Sequence, residues 1–359
     1  MKRLCLIVGA RPNFVKAAPL VTALRKEPLF RFSILHTGQH SDPSLSKVFL
    51  EKLGIGKPDI TLNIKKYTDR QQRIGLMVCQ IGRFLAKNKF DLVIVVGDCD
   101  STLAGALAAT KQKLLLAHIE AGLRSHDAKM PEETNRFIVD QLSNLHFITE
   151  PSARKNLLAE GFIKNTIKFV GNLMIENLIN HQDKINNSKI LEKLSLNQPS
   201  YLVVTLHRFE NISSKNNLSN SLRLLRQLSQ KYRLVFPSHP HTQKQIIFFG
   251  LQKSLPTCIT TDPLDYFDFL KLVSNSLGVI TDSGGIQEET TFLGIRCATL
   301  RDNTERPITI NQGTNKLFPL DSSIDSIVNH LRSQTAPTKI RHWDNSVSQR
   351  IINTLKTYL

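Results

Sequence analysis

An α/β protein built as two halves, each a parallel sheet with helices on both faces, is what the sequence predicts. Three observations lead there. Short apolar runs rich in β-branched residues alternate along the chain with longer segments of helical period. Strands that are apolar on both faces belong to buried parallel sheets. The length, 359 residues, corresponds to two domains at roughly 100–200 residues each.

In the first half, Arg3–Val8, Phe32–Thr37, Asp91–Val96, Leu114–Ile119, Leu145–Thr149 and Thr166–Val170 read as buried strands. Helical periods at about 14–26, 43–53, 68–88, 101–112, 131–142 and 151–160 separate them. A polar stretch, His181–Ser200, containing Asn186-Asn187-Ser188 and Asn197-Gln198-Pro199, interrupts the alternation. Strands then resume at Tyr201–Leu206, Arg233–Pro237, Leu277–Thr281 and Cys297–Leu300, with helices at about 215–230, 242–249, 265–275, 285–293 and 322–333. The expected division is 1–170, 171–340, and a terminal segment 341–359 whose amphipathic helix (about 346–358) packs back on the first half.

Composition narrows the class. The chain is 41% hydrophobic and 21% charged, with 17 Gly and 15 Pro and no repeat, which argues against disorder, collagen-like structure and solenoids. No apolar run approaches the ~18 residues of a membrane helix, and Leu4–Gly9 is too short for a signal-peptide core. Five scattered cysteines (Cys5, Cys79, Cys99, Cys258, Cys297) without a C-x-x-C suggest reduced thiols and a cytoplasmic protein, and argue against structural zinc. The net charge of +17 favours anions in general. The basic residues are dispersed and form no run of five or six, so nucleic acid is not an expected partner.

Polar residues gather where strands end, the edge at which open α/β sheets bind ligands. Strand one runs into Gly9-Ala10-Arg11-Pro12-Asn13, then a helix carrying Lys16. Pro12 suits the first helical position, and a cation at that end opposes the helix dipole unless an anion binds there. Other strands end in Gly97-Asp98-Cys99-Asp100 and His118-Ile119-Glu120-Ala121-Gly122. Glu120 should be enclosed at the sheet edge, where burial raises a carboxyl pKa and suits it to proton transfer. Asp98 has helix capping as its alternative, and Glu132 and Glu133, after Pro131, have favourable placement in a first helical turn.

The second half offers His207-Arg208, His239, and Asp282-Ser283-Gly284-Gly285 leading into a helix. There, backbone N–H groups can face a phosphate, with plain N-capping by Ser283 as the alternative. Glu289, one and a half turns on, is placed to accept from ribose hydroxyls or else is a solvated helix residue. Arg306 lies in the loop Thr304-Glu305-Arg306-Pro307. Neither G-x-G-x-x-G nor a P-loop sequence occurs, which disfavours nicotinamide cofactors and P-loop chemistry.

Seven motifs together resemble the non-hydrolysing UDP-N-acetylglucosamine 2-epimerases. They are Gly-Ala-Arg-Pro-Asn-Phe-Val-Lys (9–16), Gly-Asp-Cys-Asp-Ser-Thr (97–102), His-Ile-Glu-Ala-Gly-Leu-Arg-Ser (118–125), Met-Pro-Glu-Glu-Thr-Asn-Arg (130–136), Val-Gly-Asn (170–172), Asp-Ser-Gly-Gly-Ile-Gln-Glu-Glu (282–289) and Arg-Asp-Asn-Thr-Glu-Arg-Pro (301–307). The resemblance implies a GT-B fold, two Rossmann-like domains with the active site in the cleft between them. It also implies reversible conversion of UDP-GlcNAc to UDP-ManNAc without metal or nicotinamide, as a precursor supply for surface polysaccharide. It assigns catalytic roles to Lys16, Asp98, Glu120, Glu132 and His207, and nucleotide contacts to Arg11, Phe269, Ser283, Gly284, Gly285, Glu289 and Arg306. Phe209 stands where many relatives have Pro. Gln39-His40 resembles the start of an allosteric substrate site in some members, but Ser41-Asp42 departs from it. The expected partners are a UDP-sugar and a second copy of the chain, without nucleic acid or membrane insertion. A UDP-diacetamido-uronic acid epimerase, a hydrolysing epimerase, a GT-B glycosyltransferase and a non-catalytic UDP-sugar- or nucleic-acid-binding protein are the alternatives.

Overall fold

The computed structural model describes residues 1–39, 43–64, 69–196, 200–333 and 339–359; His40, Ser41 and Asp42 of the allosteric motif and Asn197-Gln198-Pro199 lie outside them. The described chain divides into two compact units, Met1–Asn180 with Arg341–Leu359, and His181–Ile340.

Unit 1 runs β1 (Lys2–Val8), α1 (Arg11–Arg25), β2 (Phe30–His36), α2 (Pro43–Lys52), β3 (Ile60–Thr61), α3 (Arg70–Lys87) and β4 (Leu92–Val96). It continues through α4 (Asp100–Lys111), β5 (Leu115–Ile119), α5 (Pro131–Leu142), β6 (Leu145–Ile148), α6 (Pro151–Ala159), β7 (Ile167–Phe169) and α7 (Leu173–Asn180). The strands pair in parallel in the order β3-β2-β1-β4-β5-β6-β7. Period-two alternation places both faces of β1 in the core. Cys5 and Ile7 join Val93 and Val95 of β4 against Met77, Ile81 and Leu85 of α3 and Ala104 and Ala108 of α4. Leu4 and Leu6, pointing the other way, are fully buried as well.

Unit 2 runs α8 (Gln182–Asn186), α9 (Ile190–Lys193), β8 (Tyr201–Thr205), α10 (Phe209–Ile212), α11 (Lys215–Ser229), β9 (Arg233–Pro237), α12 (Pro240–Phe248) and β10 (Cys258–Thr261). Then follow α13 (Tyr266–Ser274), β11 (Gly278–Thr281), α14 (Gly284–Leu293), β12 (Cys297–Thr299), α15 (Ile308–Asn311), β13 (Asn315–Leu317) and α16 (Ile324–Arg332). Its parallel sheet has the order β10-β9-β8-β11-β12-β13. Leu202 and Val204 of β8 pack with Leu224, Leu225 and Leu228 of α11 and Ile327 and Leu331 of α16. Tyr201 and Val203 face the other side, against Leu272 and Val273 of α13.

The last helix, α17 (Val347–Tyr358), belongs to unit 1, where it packs on α1 and α7. The division between units falls after Asn180 rather than at 170. The cause is α7, which packs against α1 and buries Leu173 through Leu178. Three edge strands were not anticipated: β3, β10 and β13 are short and half-exposed, so they lack an apolar run. Helix α1 starts at Arg11, which puts Pro12 second in the helix rather than first.

Candidate active site

Each sheet has its first strand flanked by strands reached in opposite directions, β1 by β2 and β4, and β8 by β9 and β11. This is the switch point where the loops beyond the carboxyl ends diverge and leave a crevice. In unit 1, Asn13 organises it. Its Oδ1 accepts from the N–H of Gly9 (3.3 Å) and Ala10 (3.0 Å) and from the Cys99 thiol (3.0 Å). Its Nδ2 donates to the Val96 carbonyl at 2.9 Å, tying the β1–α1 turn to the end of β4. One turn along α1, the buried Lys16 ammonium forms a salt bridge with the Glu120 carboxylate. Gly97 lies against this pair: a Cβ there would sit 3.2 Å from Glu120 Oε2 and 3.6 Å from Lys16 Nζ, and its φ of +69° also suits glycine.

Glu120 is enclosed, as its strand-end position led one to expect, but its carboxylate is paired rather than alone. Its φ is +74°, the left-handed region that disfavours a residue with a side chain. Several buried groups hold the loop in this form. Asp140, near the end of α5, accepts from the N–H of Gly122 at 3.0 Å and pairs with Arg124 at 2.8 Å and with His118 Nδ1 at 2.6 Å. His118 Nε2 reaches the Gly97 carbonyl at 2.8 Å, so one imidazole joins the loops after β4 and β5. Burial pushes the Asp140 pKa up, but His118 and Arg124 outweigh it and hold the group below the ordinary aspartate value.

Glu132 and Glu133 separate clearly. The Glu133 carboxylate accepts from the backbone N–H of Ser125 (2.9 and 3.0 Å) and His126 (2.9 Å) and from the Ser125 hydroxyl, and it pairs with Arg136. It is a structural clamp on the same loop. Glu132, in the first turn of α5, is only partly buried. Asp98 does not cap α4, whose N-cap is Cys99; it pairs with Arg136 at 3.0 Å. Arg11 is half-buried, its guanidinium 5.9 Å from the centre of the Phe49 ring.

In unit 2 the fully buried Asp282 accepts from the N–H of His207 (3.0 and 3.1 Å) and Arg208 (2.9 Å) and from Asn211 Nδ2 at 3.2 Å. His207 Nδ1 lies 3.2 Å from the same carboxylate, and the ring is 45% exposed. Burial pushes the Asp282 carboxyl up, yet His207 and the surrounding donors hold its pKa below the ordinary value. Ser283 is the N-cap of α14 but makes no side-chain cap hydrogen bond, so the capping alternative is not realised. Asp265, Ser214 and Ser323 do cap α13, α11 and α16 in that way.

Gly284 admits a buried charge cluster, since a Cβ there would lie 2.5 Å from both Arg306 Nη1 and Glu305 Oε1. Arg306 also pairs with Glu288 at 2.9 Å, while Glu305 takes Arg301 at 3.0 Å and Arg208 at 3.5 Å. Three guanidiniums thus face two carboxylates. Burial lowers the Arg301 pKa, and Arg208 and Arg306 push the same way against Glu305. Glu289 is buried in α14, and Phe269 is half-buried in the core cluster under α13. His239 is exposed, and its Nδ1 accepts from the His241 N–H at 3.2 Å as the cap of α12.

Sequence reasoning gave no role of their own to Asp140, His118, Glu288 and Glu305, all buried and all polar. His118 lies in β5, Asp140 in α5, Glu288 in α14 and Glu305 in the loop after β12, and their importance shows only once the pairing is known. Among the described residues no group of His, Cys, Asp or Glu is arranged to hold a metal ion, and no helix is long and apolar enough to cross a membrane.

The matching family is described as UDP-N-acetylglucosamine 2-epimerase, and the match spans residues 22–356. A UDP-N-acetylglucosamine 2-epimerase of Methanococcus maripaludis is 38% identical over 354 residues, covering 96% of this chain and 94% of its own length. A UDP-2,3-diacetamido-2,3-dideoxy-D-glucuronate 2-epimerase of Pseudomonas aeruginosa is 37% identical over 339 residues, covering 94% and 93%. The crystal structure of Methanocaldococcus jannaschii UDP-GlcNAc 2-epimerase in complex with UDP-GlcNAc and UDP superposes with a TM-score of 0.91, at 34% identity and 99% coverage of both chains. The fold is of the GT-B class, with two Rossmann-like units in one chain. The motif order, the two switch-point constellations and a match over nearly the whole length agree: the chain belongs to the UDP-N-acetylglucosamine 2-epimerase family, a family of isomerases.

Proposed function

We propose that this protein interconverts UDP-GlcNAc and UDP-ManNAc by elimination and re-addition of UDP. The observation that carries the reading is Glu120, a buried carboxylate held in left-handed backbone against Lys16 at the carboxyl edge of the unit 1 sheet. The C2 proton of the sugar is not next to a carbonyl, so it becomes acidic only as the C1–O bond to UDP breaks and oxocarbenium character develops. A carboxylate then takes the proton, giving 2-acetamidoglucal and UDP. Return of the UDP oxygen to C1, with protonation of C2 from the opposite face, inverts that centre. Glu120 and Glu132 suit the two proton transfers, and Asp98 is the third candidate. Lys16 holds the Glu120 carboxylate in place.

Unit 2 carries groups suited to UDP. The α14 N-terminus, without a side-chain cap, offers N–H donors for phosphate, and the three guanidiniums near Gly284 add positive charge for the leaving diphosphate. Arg306 is itself buried between Glu288 and Glu305, so its contribution is a field rather than an open contact. His207, half-exposed and fixed by Asp282, is available to the diphosphate, and Glu289 suits the ribose.

NMR of UDP-GlcNAc with the protein in D2O tests the proposal. UDP-ManNAc should appear with deuterium at C2, and full retention of the C2 proton would sink the elimination route. The 37% identical Pseudomonas relative favours a second reading, a diacetamido-uronic acid substrate; comparing kcat/KM for the two UDP-sugars decides between them.

A further inference from the structure

Unit 1 has a hollow of about 720 Å³ well apart in sequence from the β1 and β4 edge, bounded by the end of β6, the start of α6, strand β7 and the returning C-terminal segment. Arg154, Lys164, Lys168, Arg341 and Arg350 line it, and no Asp or Glu does. Arg350 is committed to the wall: its guanidinium pairs with Asp344 (2.6 Å) and donates to the Val170 carbonyl (2.7 Å). The other four cations have no carboxylate partner among the described residues. Arg341 instead lies over the Phe169 ring at 5.9 Å. Glu150, the N-cap of α6, does not line the hollow; it accepts from the Ser152 hydroxyl.

The walls are preformed. Gly171 (φ +96°) lets the chain after β7 pass so close to the returning segment that a Cβ would sit 1.9 Å from the His342 carbonyl oxygen. His342, itself at φ +63°, stacks edge-on against Phe169 with ring centres 4.9 Å apart. Asn165, Asn353 and Thr354 add neutral hydrogen-bonding groups. Like charges around a concave, low-dielectric wall repel one another and concentrate field lines on whatever anion enters. The volume falls in the ~300–1,000 Å³ range of small-molecule sites.

We propose that this hollow is a second ligand site, distinct from the UDP-sugar site, which takes a multiply charged phosphate-bearing small molecule. The hollow lies within unit 1 alone, and its occupant takes no part in the proposed reaction. A hollow this small favours a small anion over a membrane surface or a nucleic-acid backbone, which need an extended basic face or track. A ligand here bridges the β6–β7 edge to the segment leading into α17, so it ties the C-terminal return to unit 1 and stabilises the folded form by mass action. His342 reports the field locally: burial lowers its pKa, and Arg350 and Arg341 lower it further against Asp344.

The probe is pyrophosphate, titrated by calorimetry into the full-length protein saturated with UDP, so that the diphosphate site proposed in unit 2 is already filled. The hollow variant Arg154→Gln/Lys168→Gln/Arg341→Gln should bind it at least tenfold more weakly. A charge-matched control, Lys87→Gln/Lys89→Gln/Lys111→Gln, should bind as the unaltered protein does. Since Arg154, Lys168 and Arg341 have no carboxylate partner among the described residues and Lys87, Lys89 and Lys111 are exposed, both variants should keep their fold, and Lys168→Gln alone should show a smaller loss in the same direction. Independently, the His342 ring in the unaltered protein should titrate at higher pH once pyrophosphate is bound. Equal weakening in the two triple variants would assign the binding to overall charge and overturn the proposal. So would a His342 titration that pyrophosphate leaves in place.

Discussion

A side chain held at φ near +74° costs of order 1–3 kcal/mol, and Glu120 keeps that conformation only because Asp140, Glu133 and Lys16 fix its surroundings. The same loop separates two neighbouring glutamates by what their oxygens touch. Glu133 accepts from two backbone N–H groups and a hydroxyl and pairs with Arg136, so its charge is used by the fold. Glu132, by contrast, stays partly exposed in the first turn of α5. Replacing each by Gln should therefore produce opposite phenotypes. Glu132→Gln should keep the melting temperature and lose roughly 10²–10⁴-fold in epimerisation rate, with Glu120→Gln losing a similar factor and at least one of the two releasing UDP and 2-acetamidoglucal. Glu133→Gln should lose about 1.5–3 kcal/mol of stability, because charge-assisted bonds become neutral ones. Thermal unfolding and product analysis of the three variants check this. A stable, slow Glu133→Gln beside an active Glu132→Gln would reverse the two assignments.

Elements with a strong period were legible from the sequence, and those built by distant contacts were not. Strands β1, β4 and β8 are apolar on both faces and announce themselves. Strand β13, Asn-Lys-Leu, exists because Cys297, Ala298 and Thr299 of β12 offer it a ladder. Helix α7 escaped notice because its short run, largely buried on all sides, carries no helical stripe. Lys16 was singled out, but its partner lies 104 residues away, a pairing that no spacing rule reaches. The α7–α17 contact is of this kind and has a pH consequence. Glu176 of α7 accepts from the Ser348 N–H (2.7 Å) and hydroxyl (2.6 Å) at the start of α17. Burial raises its pKa above the ordinary 4.5, only partly offset by Ser348 and Arg350. A raised carboxyl pKa means the folded form holds the proton more tightly, so this contribution is complete below pH 4.5 and is lost as pH rises through the folded value. Glu176→Gln keeps an acceptor for the Ser348 N–H and cannot ionise. Urea unfolding followed across that interval should show the variant without this decline, and an unchanged slope would mean that Glu176 does not titrate on folding.

Across the whole molecule one device recurs: in each unit a fully buried aspartate with a lowered pKa anchors the loops that present the candidate catalytic groups. Asp140 does this in unit 1 through Gly122, Arg124 and His118, and Asp282 in unit 2 through His207, Arg208 and Asn211. In both cases burial alone would raise the pKa, and the paired cations and donors reverse it. A depressed folded pKa gives stability that is present above the ordinary aspartate value of 3.8 and is lost as pH falls through the lower folded value. Protonation of the remaining carboxylates on a chain already at +17 adds repulsion in the same direction. Both units should therefore be acid-labile, and each aspartate should control its own. The single tryptophan, Trp343, is buried in unit 1 and reports that unit by fluorescence, whereas far-UV circular dichroism reports both. Asp140→Asn takes the buried carboxylate from His118 and leaves Arg124 with Glu160 alone; it should cost about 1–3 kcal/mol near neutral pH, read as a lower urea midpoint in the Trp343 signal. Asp282→Asn should lower the midpoint of the dichroism change and leave the Trp343 transition in place. Below pH 3.8 each variant should also lose the acid slope of its own unit. If both variants retain the slope of the unaltered protein, these two carboxylates are not what acid dissolves, and the loops of the site are held by other groups.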